Sequence, residues 1–184
     1  LGHTANDQSE TILMHLIRGS GLDGLTGMKL LSNRVIEKDP PLKVFRPLLE
    51  ITRIDIEAYC SAVGETPRTD STNFSDDHTR NSIRHNLLPA LENFNPRITE
   101  ALNRLALSTK RDLEFIEEAS YGAWAAAADV DTGIVTINLD KLTDLPESLS
   151  YRLIRKAVGI IKGNLNGIPL DHIEAVINLS RGPS

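Results

Sequence analysis

The sequence predicts an α/β fold that gives way to a mostly helical region, and three features carry that expectation. A capped amphipathic helix opens the chain, a short apolar strand follows a proline turn, and from Asn95 onward most segments have helical periodicity. Hydrophobic residues make up 40% of the 184 positions, enough for a packed core in one domain or two. Aromatics are only 4%, so Leu, Ile, Val and Ala have to fill it.

The first helix is expected over residues 4 to 17 of "LGHTANDQSETILMHLIRGSG". Thr4 is its N-cap, Asp7 stands at the capping-box position, and Ile12, Leu13, Leu16 and Ile17 form an apolar stripe opposite Asp7, Glu10, Thr11 and Met14. Arg18 to Met28 hold four glycines, too many for a regular element, and predict a mobile loop. After Asp39, Pro40 and Pro41, "LKVFRPLL" reads as a strand ending at Pro47. Thr52 and Asp55 repeat the capping-box spacing before a helix that stops at Gly64, with Ile54, Ala58 and Ala62 on one face. Glu65 to Asp77 is polar and irregular, and a helix over Arg80 to Phe94 has to kink or break at Pro89.

Asn95 and Pro96 then place an N-cap residue before a proline suited to a first helical turn, and the predicted domains are 1–94 and 95–184. Ile98, Leu102, Leu105, Leu113 and Ile116 make the apolar seam of a helix reaching about Ala128 if Gly122 does not break it. "GIVTINL" is a strand candidate. Helices follow from Pro146 to about Lys162 and from Pro169 to about Leu179, the last with Ile173, Val176 and Ile177 inward. Only one convincing strand precedes residue 95, so the start of the α/β domain is expected to lie before Leu1.

Bulk properties narrow the function. The single cysteine, Cys60, excludes an internal disulfide and a four-cysteine metal site in one chain, which fits a reducing, cytoplasmic setting; it is expected to be a small core residue. No apolar run approaches a membrane span, so no membrane partner is expected. A net charge of −5 argues mildly against a nucleic-acid binder, yet residues 79–111 carry six cations against two anions.

Capping accounts for Thr4 and Asp7 but not for His3 or Glu10, and a helix N-terminus suits an anionic ligand. Arg80 and Arg84, at i and i+4, can point the same way. They either hold phosphates or form ion pairs with Asp70, Asp76 or Asp77. Arg46 ends a strand, where α/β ligands tend to lie. No functional role is assigned to His15, His78, His85 or His172, and no residue is assigned to a metal.

"GHTANDQSETILMHLIRGSGLDGLTGM" closely resembles the second signature of PP-loop ATP pyrophosphatases, GHxxDDxxET followed by RGSG. "RPLLEITRIDIEAYC", "DSTN", "RNSIRHNLLPAL" and "NP" follow in the order expected of the tRNA(Ile)-lysidine synthetase family. The resemblance implies the C-terminal part of a Rossmann-like PP-loop domain followed by a mostly helical tRNA-binding domain. It implies an enzyme that uses ATP and Mg2+ to adenylate C2 of the wobble cytidine in an isoleucine tRNA with a CAU anticodon, after which the amine of L-lysine displaces AMP. His3 and Asp7 then face the adenylation centre, Glu10 completes the signature, and Arg46, Arg80 and Arg84 serve substrate or nucleotide. Asn6 departs from the family's usual aspartate. The Ser-Gly-Gly-x-Asp-Ser loop that would cradle pyrophosphate does not occur, so the resemblance implies an internal piece, inactive by itself. Exposed strand edges would then make it self-associate, as in a homodimer, or leave its first 30 residues poorly held. A tRNA thiolase of the same superfamily and a noncatalytic RNA-binding helical module are the alternatives; several of the former use paired cysteines, which Cys60 alone does not supply, and the latter would bind tRNA without any ATP effect.

Overall fold

The computed structural model describes residues 1–36, 39–66, 78–165 and 167–182. Helices dominate these residues, and the chain forms two compact units, 1–113 and 114–184. No helix among the described residues is long and apolar enough to cross a membrane.

In the first unit, α1 (Ala5–Ile17) is closed at its start by a complete capping box between Thr4 and Asp7. The short α2 (Leu22–Leu25) interrupts the glycine-rich stretch, which is therefore partly regular and not simply a loop. Strands β1 (Leu31–Ile36) and β2 (Asp39–Phe45) pair antiparallel, with Leu31 opposite Phe45 and Ser32 opposite Val44. The expected strand exists but is shifted, beginning at Asp39 and ending at Phe45, short of Pro47. Its partner β1 carries too little apolar alternation to stand out in the sequence. The parallel sheet expected of an α/β domain is not found among the described residues; both sheets are two-stranded hairpins.

Helix α3 (Arg53–Ala62) has the predicted Thr52–Asp55 capping box, yet Ile54 is 75% exposed, so its expected apolar face buries nothing here. Pro89 is accommodated through a wider turn. Helix α4 (His78–Ser82) passes into a π-helical turn, Ile83–Leu87, and then α5 (Leu88–Glu92), with Pro89 in the first turn of α5. Proline cannot donate to the carbonyl four residues back and its ring needs room there, a conflict that a wide turn relieves.

The Asn95 side chain accepts from the Arg97 amide ahead of α6 (Ile98–Ala127), which runs unbroken through Gly122. Ile12 and Leu13 of α1 meet Ile83, Leu88, Leu102 and Ala106 in one core. Two parts of the predicted stripes are displaced. Leu16 and Ile17 remain exposed, and on α6 the buried positions are Leu102, Ala106, Thr109, Leu113 and Ala127, while Leu105 is exposed. Cys60 is only half-buried.

The second unit continues from α6 into a hairpin of β3 (Ala128–Asp131) and β4 (Ile134–Ile137). Its two-residue turn needs the positive φ of Gly133, which lies at 81°. Helices α7 (Leu139–Thr143), α8 (Glu147–Lys162) and α9 (Leu170–Ser180) complete it. Ser150, Leu153, Ile154 and Ala157 are the buried stripe of α8, and Ile173 and Ile177 that of α9, whereas Val176 is exposed. Lys156 lies 4.4 Å from the ring centre of Trp124 and 4.8 Å from that of Tyr121.

Candidate functional site

The capping box fixes one oxygen of Asp7 and leaves the other to a second task. Oδ2 accepts from the Thr4 amide at 2.8 Å and from the Thr4 hydroxyl at 2.9 Å. Oδ1 turns outward and accepts from Nη2 of Arg80 at 3.1 Å and Nη2 of Arg84 at 3.3 Å. One turn further along α1, Glu10 is almost wholly buried. It takes Nε of Arg80 at 2.8 Å on Oε2, and a two-point fork from Arg84, with Nε at 2.6 Å and Nη2 at 2.9 Å.

Helical spacing explains the match. Asp7 and Glu10 stand at i and i+3 on α1, and Arg80 and Arg84 at i and i+4 across α4 and the π turn, so each pair presents two charges along one face. The hydrogen bond to Glu10 raises the Arg84 pKa above the ordinary guanidinium value, so that side chain stays charged. Burying such ions is costly unless each finds its partner, and here both carboxylates do.

His3 and Arg46 flank this quartet. Nε of Arg46 donates to Nδ1 of His3 at 3.2 Å, while Nη1 donates to the Lys29 carbonyl and the Ser32 hydroxyl, each at 2.9 Å. Burial is the main influence holding the His3 pKa below its ordinary value; nearby Asp7 opposes it, and Arg46 and Arg80 add to it. Burial therefore favours the neutral imidazole. The six side chains hold three guanidinium groups and two carboxylates, leaving one positive charge.

Several supporting residues carry no motif. Gln8 donates through Nε2 to the carbonyls of Thr26 and Met28 and accepts from the Met28 amide at 2.7 Å, which clamps the glycine-rich segment onto α1. A Cβ at Gly27, whose φ is 65°, would lie 2.7 Å from that amide group. Nδ1 of His15, which the sequence left without a role, lies 2.7 Å from the Gly24 carbonyl oxygen. Asn6 accepts from the Arg53 amide at 2.9 Å, tying α1 to the start of α3. Ser9 and Asn103 join α1 to α6 through Nδ2 of Asn103, which reaches the Ala5 carbonyl at 3.0 Å and the Ser9 hydroxyl at 3.1 Å. The visible signal for these was a run of polar residues, Gln8 to Thr11, on a helix that also had to be buried.

All six residues singled out from sequence, His3, Asp7, Glu10, Arg46, Arg80 and Arg84, come together at the start of α1. The described partners of the two arginines are Asp7 and Glu10; Asp70, Asp76 and Asp77, with the DSTN block, lie outside the described residues. Among the described residues no cluster of three or more His, Cys, Asp or Glu forms a metal site.

The PP-loop domain family matches residues 1–91. A tRNA(Ile)-lysidine synthase of Clostridioides difficile is 35% identical over 97% of the chain and 37% of its own length. Those of Dehalococcoides mccartyi and Symbiobacterium thermophilum are 33% and 36% identical, over 100% and 97% of the chain and 39% and 38% of their own lengths. The chain thus spans little more than a third of the curated relatives it matches. It is homologous to tRNA(Ile)-lysidine synthases over nearly its whole length, and its first 91 residues match the PP-loop domain family.

Proposed function

We propose that the protein takes part in lysidine formation: with ATP, the C2 carbonyl oxygen of the wobble cytidine in an isoleucine tRNA is adenylated, and the amine of L-lysine displaces AMP. The observation that carries this reading is the meeting of His3, Asp7, Glu10, Arg46, Arg80 and Arg84 at one helix end, in a chain homologous to proteins of that name.

The chemistry needs three things at this place. Negative charge builds on phosphate oxygens as pyrophosphate and then AMP depart, and guanidinium groups already aimed by carboxylates meet it without reorganising. The lysine amine arrives protonated and needs a carboxylate to hold it and help remove its proton. Asp7 suits that task because its Oδ1 contacts, at 3.1 and 3.3 Å, are the longest of the quartet and the easiest to exchange. The target base has to leave its stack, and a neutral imidazole can then donate to an oxygen of the base or of a phosphate. ATP use follows from the PP-loop domain family. Glu10, buried and taken up by Arg80 and Arg84, offers magnesium no ligand.

Asp7→Asn in the intact protein tests the reading, because asparagine keeps much of the cap and loses the charge. Lysidine formation from ATP, lysine and tRNA should fall by about 100-fold or more with the fold retained. Activity within about threefold of wild type would reduce Asp7 to a structural member of the capping box and of the arginine cluster.

A further inference from the structure

We propose that Arg46 is a positioning residue: its bond to Nδ1 holds His3 in the neutral form with the proton on Nε2, so that His3 meets a phosphate oxygen as a hydrogen-bond donor and not as a base. The inference rests on the reading of this site as a nucleotide-activating centre, and it assigns His3 a tautomer and Arg46 an indirect role.

Geometry carries it. A guanidinium has donors and no lone pair to offer, so the nitrogen that Arg46 Nε approaches at 3.2 Å has to be the acceptor. Neutral imidazole carries a single N–H, which then sits on Nε2. Arg46 itself is not adaptable. Its backbone amide donates to the Leu30 carbonyl at 2.9 Å, directly beside the last ladder pair of the β1–β2 hairpin, and Nη1 is held by the Lys29 carbonyl and the Ser32 hydroxyl. With Nε and Nη1 so engaged, the side chain works as a strut from the hairpin base to the imidazole. Protonating Nδ1 would break the hydrogen bond and bring two cations together, and the depressed pKa of His3 agrees with that. A lysine at this position would supply a point charge without the fixed fork that reaches the histidine and the hairpin at once.

The tautomer can be read without turnover. In protein labelled with 15N at its five histidines, long-range proton–nitrogen correlations distinguish a pyrrole-like from a pyridine-like nitrogen, and the His3 signals are those lost in His3→Gln. At pH 7 wild-type His3 should show a pyridine-like Nδ1 and a pyrrole-like Nε2. Arg46→Lys, which keeps the charge and spares the fold, should lift the preference to a mixture, and Arg46→Gln should do the same. A proton on Nδ1 in the wild type, or an unchanged pattern in both variants, overturns the assignment.

Turnover then separates donor from base. Glutamine can place a donor near the Nε2 position and asparagine cannot, so His3→Gln should retain about tenfold more activity than His3→Asn. Arg46→Lys should lower kcat about tenfold with a KM for ATP within about threefold of wild type, the pattern of a group acting through another. Equal loss in the two histidine variants, or full activity in Arg46→Lys with an altered tautomer, removes the proposed role. Because the tautomer is measured without ATP, lysine or tRNA, its failure is distinct from failure of the lysidine-forming reading, which Asp7→Asn addresses.

Discussion

The two compact units bury different things. Among the described residues the first buries Gln8, Ser9, Glu10, Thr11 and Thr109, four of them consecutive on α1, whereas the second buries Ser150 alone among polar side chains. In the second unit Leu153, Ile154, Ile173, Ile177, Ala127 and Leu142 form an apolar core, and Ser150 is satisfied by the Leu142 carbonyl at 3.0 Å. The first unit buries one carboxylate, Glu10, whose partners Arg80 and Arg84 stay 29% and 30% exposed, and its charges have to be paired group by group. No buried side-chain nitrogen or oxygen among the described residues lacks a partner. The lesson is one of tolerance: an apolar core accepts small losses locally, while a paired ionic cluster transmits the loss of one member to the rest.

The largest expected effect is therefore at Glu10. Glu10→Gln leaves Arg80 and Arg84 facing each other with Asp7 as their remaining described carboxylate, and should cost about 4 kcal/mol. Urea unfolding gives the total, and faster amide exchange along α1 should locate it. A loss below about 1 kcal/mol would show that the quartet behaves like an exposed ion pair, and the contrast between the units would fail.

A smaller effect is expected from Leu153→Ala in the apolar core, where the side chain is 1% exposed. The cavity should cost about 3 kcal/mol. The single tryptophan, Trp124, packs against that core and its fluorescence follows the second unit directly. An unchanged fluorescence midpoint would place Leu153 outside the stabilising core.

The smallest effect is a pH dependence at His3. Its pKa in the folded protein lies below the ordinary value of 6.5, so the neutral form stabilises the fold. That contribution is fully present above 6.5 and is lost as pH falls through the lower folded value. Melting temperatures compared with His3→Gln should show the wild type losing ground only below about pH 6.5. A relative loss on raising the pH would mean that the cation is the favoured form.

Much of this was legible along the chain, because its signals are local. Thr4 and Asp7, like Thr52 and Asp55, announce helix starts through a three-residue spacing, and both capping boxes form. The end of α6 and the β4 strand were equally readable, the first from an alanine run and the second from β-branched residues beside a turn glycine. Strand β1 was not readable, since Leu31 to Ile36 gains its strand character from pairing with β2. The stripes of α1 and α6 were misjudged at Leu16, Ile17 and Leu105, since periodicity shows which residues share a face and not how far a neighbour covers it.

The six site residues were chosen by residue type, spacing and motif, and residue type and spacing are properties the sequence by itself determines. Which of them touch was decided by the tertiary structure. The sequence offered phosphates or nearby aspartates as partners of Arg80 and Arg84, and among the described residues the carboxylates they meet lie 70 to 77 residues away on α1. Arg46 likewise finds His3 only because the hairpin returns the chain to the start of α1. Capping depends on atoms within one turn and is written in the sequence, whereas the pairing of buried charges depends on which distant surfaces the core draws together.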